Sequence, residues 1–405
     1  MYIQRILDTA KLATDKSFFL WGPRQTGKSS ILKNSLPQAT TYNLLHSDTY
    51  LRLSQNPSLL RTELTGSPRI IVIDEIQRIP ELLNEIHSLI EDVGHKFVLT
   101  GSNARKLRRG GVNLLGGRAR SKQLHPFVWA ELGSYSLNSV FEKGLIPFLY
   151  FSNAITDDLS SYTADYIQQE IIAKSAARNI PAFSRFLKVA ALCSGQQLNT
   201  TKIASDSQVA RTTVQEYFEI IKETLIAHEL LPWKSGTKRK SVSSVKFYLF
   251  DIAITRYLQG RAKIAPATPE FGHFFEQLIF QELKASQSYS WGETLHYWRS
   301  DSGLEVDFIL DDSIAVEVKS TNNPKSDDLK GLLAISSEGN FSRKILVCMA
   351  PKYQYLDSQI HIVPWQVFLE ALWKSKKWGA MPVTANDWQE VQQSLARLSF
   401  ALLQP

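Results

Sequence analysis

The sequence predicts an α/β chain built of several domains, and three observations predict it. The first 125 residues alternate short apolar runs (Ser17–Trp21, Arg69–Asp74 and Lys96–Thr100) with amphipathic stretches, the pattern of a parallel sheet flanked by helices. From about residue 126 to 260 the apolar positions recur at helical spacing and end in a basic, hairpin-like stretch. From about 268 to 365 the order helix, strand, hairpin, helix, strand gives an α/β or α+β pattern, followed by a Trp-rich helical tail. The expected units are 1–125, 126–180, 181–262, 263–365 and 366–405.

Composition narrows the function classes. With 405 residues, 43% hydrophobic and 21% charged, the chain reads as an ordinary globular protein. No stretch approaches the ~20 apolar residues of a membrane span, and the N-terminus lacks the apolar core of a signal peptide. Cys193 and Cys348 stand far apart with no metal or redox spacing. The expectation is a cytoplasmic protein with no membrane partner. Its net charge of +7 suits a polyanion. Seven Lys or Arg and no acid lie between Gly101 and His125, and five and no acid between Leu231 and Phe247. Arg108 and Arg109 in the first patch, and Lys238, Arg239 and Lys240 in the second, are candidate contacts to DNA phosphates.

Residues 18–30, FFLWGPRQTGKSS, run from a strand through G-x-x-x-x-G-K-S into a helix. Gly22 and Gly27 let the backbone curl so that its N–H groups face phosphate oxygens. The cradle comprises Gly22, Pro23, Arg24, Gln25, Thr26, Gly27, Lys28, Ser29 and Ser30. Lys28 supplies charge to the β and γ phosphates, the Ser29 hydroxyl ligates Mg²⁺, and the helix N-terminus faces the anion. The run RIIVIDEIQ ends in two carboxylates: Asp74 is placed to hold the Mg²⁺ shell and Glu75 to orient the attacking water. The next strand, KFVLTGSN, ends in polar residues, and Ser102 rather than Asn103 is the candidate γ-phosphate sensor. ATP and Mg²⁺ are the expected cofactors.

In residues 198–232 a short helix, a turn and a longer helix follow one another, with Val214, Tyr217, Phe218, Ile221 and Leu225 as a core stripe. Arg211, Thr212 and Gln215 then lie at the exposed start of the second helix, where a helix-turn-helix reads DNA. Glu216 and Glu219 share that face and would repel phosphate, so domain packing is the rival use. The stretch GLEVDFILDDSIAVEVKS reads as a hairpin in which Leu310 faces Ile314 and Asp307 faces Glu317. Asp307, Glu317 and Lys319 would share one face, with Val306, Phe308, Val316 and Val318 on the other. Two carboxylates side by side call for a divalent cation, Mg²⁺ or alternatively Mn²⁺, and Lys319 would steady a developing phosphoryl charge. Glu276, on the apolar helix before it, is a candidate third ligand, and Lys330 beyond it a phosphate contact. The rival reading is a salt-bridged surface hairpin.

Together GPRQTGKSSIL, IDEIQ, LTGSNARKL, GGRARSKQLHPF and YWRSDSGLEVDFIL resemble a family of AAA+ ATPases that carry a C-terminal domain long listed as of unknown function. The resemblance runs over most of the chain. It implies a P-loop core, a helical lid and a winged-helix region, with Arg118 or Arg120 reaching a neighbour's nucleotide as an arginine finger in a homo-oligomer, expected to be a hexameric ring. The order Glu276, Asp307, Glu317, Lys319 resembles the PD-(D/E)XK nucleases, which implies a restriction-endonuclease-like C-terminal α/β domain. The function so implied is an ATP-driven DNA-processing enzyme cutting branched or repair-associated DNA. The alternative is an ATP-driven switch or remodeller whose C-terminal domain only binds DNA or protein.

Overall fold

The computed structural model describes residues 2–102, 115–164, 179–234, 244–289, 293–356 and 359–401. The described chain forms two compact units, each discontinuous in sequence. One comprises Met1–Phe127, Leu145–Phe183 and Gln215–Ala227; the other comprises Val128–Gly144, Ser184–Val214 and His228–Pro405.

The first unit is built on a five-stranded sheet of β1 (Ser17–Trp21), β2 (Thr40–Asn43), β3 (Ile70–Asp74), β4 (Lys96–Gly101) and β5 (Ala119–Gln123). The strand order is β2-β3-β4-β1-β5, and every neighbouring pair is parallel. β1 is buried along its whole length, as expected of a strand covered on both faces. Phe19, Trp21, Ile71, Ile73, Phe97 and Leu99 join side chains such as Leu53, Leu83 and Ile86 in one core. The sequence runs located β1, β3 and β4. β2 and β5 read TTYN and ARSKQ, too polar to stand out, and exist because main-chain pairing to β3 and β1 completes the sheet. The loop after β1 and the carboxylates ending β3 lie at the carboxyl ends of the two strands that flank β4, where open α/β sheets place their ligands.

The second unit holds a mixed sheet of eight strands: β6 (Ala227–Pro232), β7 (Lys246–Leu249), β8 (Leu295–Arg299), β9 (Glu305–Leu310), β10 (Ile314–Lys319), β11 (Arg343–Cys348), β12 (Gln354–Tyr355) and β13 (Ile360–Pro364). Their order is β12-β13-β11-β10-β9-β8-β6-β7. The strands on either side of the basic stretch therefore belong to the same sheet as the later hairpin, with Leu231 beside His296, and the expected boundary near residue 262 does not divide it. The hairpin register matches the sequence reading: Leu310 pairs with Ile314 and Phe308 with Val316. The expected partition of faces does not hold. β9 carries an irregularity against β8 between the pairs His296–Ile309 and Trp298–Val306, so two residues, Asp307 and Phe308, stand opposite one. Val306 consequently packs with Ile309 and Ala315, while Phe308 lies against Phe280 and Tyr248.

The helix Pro269–Tyr289 buries the predicted Phe271, Phe274, Phe275, Leu278, Ile279 and Leu283, and also Gln277, Phe280 and Glu282. In the middle region, helices Thr200–Ser207 and Arg211–Glu223 precede β6 and β7. Val214, Tyr217, Phe218 and Ile221 are buried, whereas Leu225, just past the helix end, is only partly so. Among the described residues no helix is long and apolar enough to cross a membrane.

Candidate active site

The loop after β1 lines a cavity of about 610 Å³ together with Arg24, Lys28, Ser29 and Glu75. Its shape depends on backbone that only small or specially held residues adopt. Gly27 has φ of 95°, and a Cβ on Gly22 would sit 2.6 Å from the Leu124 carbonyl oxygen. The helix Lys28–Ser35 starts directly after Gly27 and directs its first N–H groups toward the loop. Lys28 is 6% exposed, and its Nζ donates to the carbonyl oxygens of Gly22 at 2.7 Å and Pro23 at 3.0 Å. Burial lowers its pKa to about 8, against the opposing pull of Glu75 and Asp74. Thr26 Oγ1 donates to Pro23 O at 2.8 Å, closing the loop on itself. Arg5 braces it from behind: its guanidinium donates to Thr26 O at 2.7 Å and to His125 O at 2.7 Å. Tyr162 OH donates to Arg24 O at 3.0 Å.

The acidic end of β3 meets the loop directly. Ser29 Oγ donates to Asp74 Oδ2 at 2.8 Å, and the Thr100 hydroxyl donates to Asp74 Oδ1. A hydroxyl and a carboxylate in contact beside a phosphate-binding loop form the oxygen-donor set that Mg²⁺ prefers. The chemistry of these donors fits the ion. Glu75 has φ of 63°, a left-handed conformation rare for its residue type. Its N–H bonds Thr100 Oγ1 at 3.2 Å, and its carboxylate accepts from Gln77 Nε2, which also lies 3.4 Å from Ser102 Oγ. Gln77 thus links Glu75 to Ser102. Gly101 gives it room, since a Cβ there would also strike the Trp21 ring at 2.7 Å. Sequence reading named Lys28, Ser29, Asp74, Glu75 and Ser102 but missed Gln77 and Arg5. The signal for Gln77 was a polar side chain two residues beyond Glu75 in IDEIQ.

Arg118 and Arg120 are both partly exposed and pair with carboxylates of their own chain, Glu91 and Asp15. Arg108, Arg109, Lys238, Arg239, Lys240 and Asn103 lie outside the described residues. Arg211, Thr212 and Gln215 are exposed at the start of their helix, and Glu216 and Glu219 are exposed beside them. Lys330 is exposed and pairs with Asp327 at 2.9 Å.

In the second unit Asp307 and Glu317 are buried, 6% and 5% exposed, on adjacent strands. Asp307 Oδ2 accepts from Val318 N at 2.8 Å. Glu317 Oε1 pairs with Lys319, and its Oε2 is buried without a hydrogen-bond partner. Burial, reinforced by the neighbouring carboxylates, raises the pKa of Asp307; burial lifts that of Glu317 to about 7. The expected convergence of Glu276, Asp307 and Glu317 on a metal is not what the side chains do. Among the described residues no three His, Cys, Asp or Glu are grouped to hold a metal ion. Glu276 Oε1 instead accepts from Tyr248 OH at 2.6 Å and lies 3.3 Å from Lys246 Nζ, and Asp307 Oδ1 lies 3.9 Å from the same nitrogen. As arranged, these donors do not fit a divalent cation. Sequence reading missed Lys246 and Glu305, although a lone lysine in the apolar run VKFYLF was visible.

Comparison with known proteins covers the chain in three pieces. Residues 14–133 match the model of an AAA domain. Residues 140–264 match a domain of unknown function, DUF8612, and residues 271–368 another, DUF4143. Two uncharacterized proteins, from Mycobacterium bovis and Mycobacterium tuberculosis, are each 24% identical over 318 residues, spanning 75% of this chain and 70% of theirs. A crystal structure of a Signal Transduction ATPase with Numerous Domains carrying a tetratricopeptide repeat sensor, from Pyrococcus horikoshii, aligns at 14% identity. That alignment covers 70% of this chain but only 45% of the archaeal one, and its TM-score of 0.22 is too low to argue from. The match of residues 14–133 to an AAA domain supports an ATPase of that class.

Proposed function

We propose that the protein is an ATP-driven switch or remodeller acting on DNA, with ATP hydrolysed on the loop after β1. The observation that carries this is the contact of Ser29 Oγ with Asp74 Oδ2 at 2.8 Å, on the loop that also presents Lys28. Ser29 and Asp74 would hold Mg²⁺, which when bound neutralises charge on the β and γ phosphates. Lys28 exchanges its carbonyl partners for phosphate oxygens. Glu75 orients the attacking water and takes its proton, held in place by Gln77. Arg118 or Arg120 supplies the last charge to a neighbour's γ-phosphate in a homo-oligomer, giving up the pairing with Glu91 or Asp15. DNA as the partner is supported by the net charge of +7 and by the two acid-free basic stretches. The test is ATP turnover with and without duplex, forked and four-way DNA. We expect Lys28→Ala to abolish turnover and DNA to stimulate the wild type; turnover indifferent to every DNA would overturn the choice of partner.

A second reading, DNA cleavage by the C-terminal hairpin, is favoured by Asp307, Glu317 and Lys319 on paired strands and by the unpartnered Oε2 of Glu317. Because Lys246 stands among these acids as arranged, this reading predicts cutting of a labelled DNA only when Lys246 moves away from them, and Glu317→Ala abolishes that cutting. Intact substrate in every assay would sink this reading and leave the ATPase untouched.

A further inference from the structure

Three elements of the second unit direct charge at one buried point. β7 contributes Lys246, whose side chain is 4% exposed. The helix Pro269–Tyr289 contributes Glu276, 3.3 Å from Lys246 Nζ. β9 contributes Glu305, in contact with the same nitrogen, and Asp307 at 3.9 Å. The Tyr297 ring lies 5.4 Å from Nζ and covers it from another side. Tyr248, two residues along β7, donates at 2.6 Å to the very Glu276 oxygen that faces Lys246. One ammonium with three N–H donors is thus enclosed by three carboxylates and an aromatic face.

We propose that the Lys246 ammonium is the resident cation of the Glu276–Glu305–Asp307 cluster and keeps that cluster closed to divalent metal. Several observations lead there. A buried carboxylate needs a cation or a proton, and two or three together need it more. Lys246 reaches all three acids, from a different element than either Asp307 or Glu276. A metal ion ligated by Glu276 and Asp307 would stand within a few ångströms of Nζ, and two positive centres that close, with Lys246 itself buried, repel strongly. Lys246 cannot relieve the repulsion by turning its head to water, because so little of it reaches the surface. Glu305 is also tied to Arg299, at 3.0 Å, and Glu317 to Lys319, so the neighbouring acids too already have basic partners.

The inference goes beyond either reading of the function. If the hairpin cuts DNA, Lys246 is the group that has to be displaced before metal enters. If the unit only binds, Lys246 offsets part of the negative charge that would otherwise face a polyanion.

The test uses the full chain without nucleotide, carrying Ser29→Ala so that the ATPase site adds no metal signal. Mn²⁺ uptake is followed by loss of the free-ion electron paramagnetic resonance signal. The expected result is no uptake at this cluster in that background and one bound Mn²⁺ after adding Lys246→Met, an affinity gain of at least about 100-fold. Asp307→Asn on top of Lys246→Met should abolish the new site, and Lys246→Arg should create none. Uptake with Lys246 intact that Asp307→Asn removes would overturn the proposal, as would a folded Lys246→Met variant that takes up no Mn²⁺. Should circular dichroism show Lys246→Met unfolded, the melting temperature of the protein with Lys246 intact decides. It should not move in millimolar Mn²⁺, and a rise that Asp307→Asn abolishes would contradict the closed cluster. DNA cleavage is scored separately, so its absence bears on the second functional reading and not on the occupancy of the cluster.

Discussion

Lys28 is placed where its burial and its task pull apart. Burial lowers its pKa to about 8, so its ammonium is intact at neutral pH and is lost as pH rises past that value. The KM for ATP should therefore be flat up to about pH 8 and climb by up to about tenfold per further pH unit. Lys28→Arg should remove the climb, because a guanidinium stays charged throughout. Steady-state kinetics over that range reads both outcomes. Gln77 carries a different prediction. Its amide holds the Glu75 carboxylate, so Gln77→Leu should lower kcat roughly 10- to 100-fold with KM for ATP nearly unchanged. A fluorescent-nucleotide titration separates that from a binding defect. At this scale the grouping of Lys28, Ser29, Asp74 and Glu75 was legible in the sequence because a local loop and a strand end set their positions. Gln77, Arg5 and Lys246 were not, because each acquires its role from partners brought by the fold: Arg5 bonds residues 21 and 120 positions away.

Among the elements, the helix Pro269–Tyr289 shows how a buried charge can organise a domain. Its Glu282 accepts from Trp129 N at 2.9 Å, Tyr135 OH at 2.8 Å and Trp373 Nε1 at 2.6 Å. Replacing it with leucine takes the acceptor from the buried Trp129 N–H and from two half-buried donors, and the free energy of unfolding should fall by about 2 kcal/mol or more in urea titration. Burial also raises the Glu282 pKa from 4.5 to about 7, outweighing the three donors. The native carboxyl then holds its proton more tightly than the unfolded one. Its contribution is complete below pH 4.5 and is lost as pH rises through 7, a slope that Glu282→Gln should flatten. Elements were legible wherever apolar periodicity marked them, as for β1, β3, β4 and this helix. β5, reading ARSKQ, left no such mark. The hairpin register was legible because its turn is short. The extra residue in β9 was not, since the β8 strand that exposes it pairs from outside the hairpin.

At the scale of the whole molecule, ATP chemistry is proposed for the first unit and DNA contact for the two acid-free basic stretches of the sequence. Arg118 and Arg120 are partly exposed, so a neighbour's nucleotide is within their chemical reach only in an assembly. Replacing both with alanine should cut turnover about 1,000-fold while ATP still binds, and mixing that variant with Lys28→Ala should restore part of the activity. Failure of mixed subunits to recover any turnover would remove the action in trans. Arg211→Ala should weaken DNA binding about equally across sequences and reduce the salt dependence by roughly one phosphate contact. Charge composition suits a polyanion partner, but a sum over the chain does not say which face would meet it.

Ser29, Asp74 and Glu75 are proposed as the working end of an ATPase. Phosphate release from Mg²⁺·ATP by wild type and Glu75→Gln, each paired with nucleotide binding, tests this most directly. Turnover is expected in the wild type, with a loss of about 100-fold or more in Glu75→Gln and ATP binding retained. Equal turnover in the two proteins, or no nucleotide binding by the wild type, would contradict it.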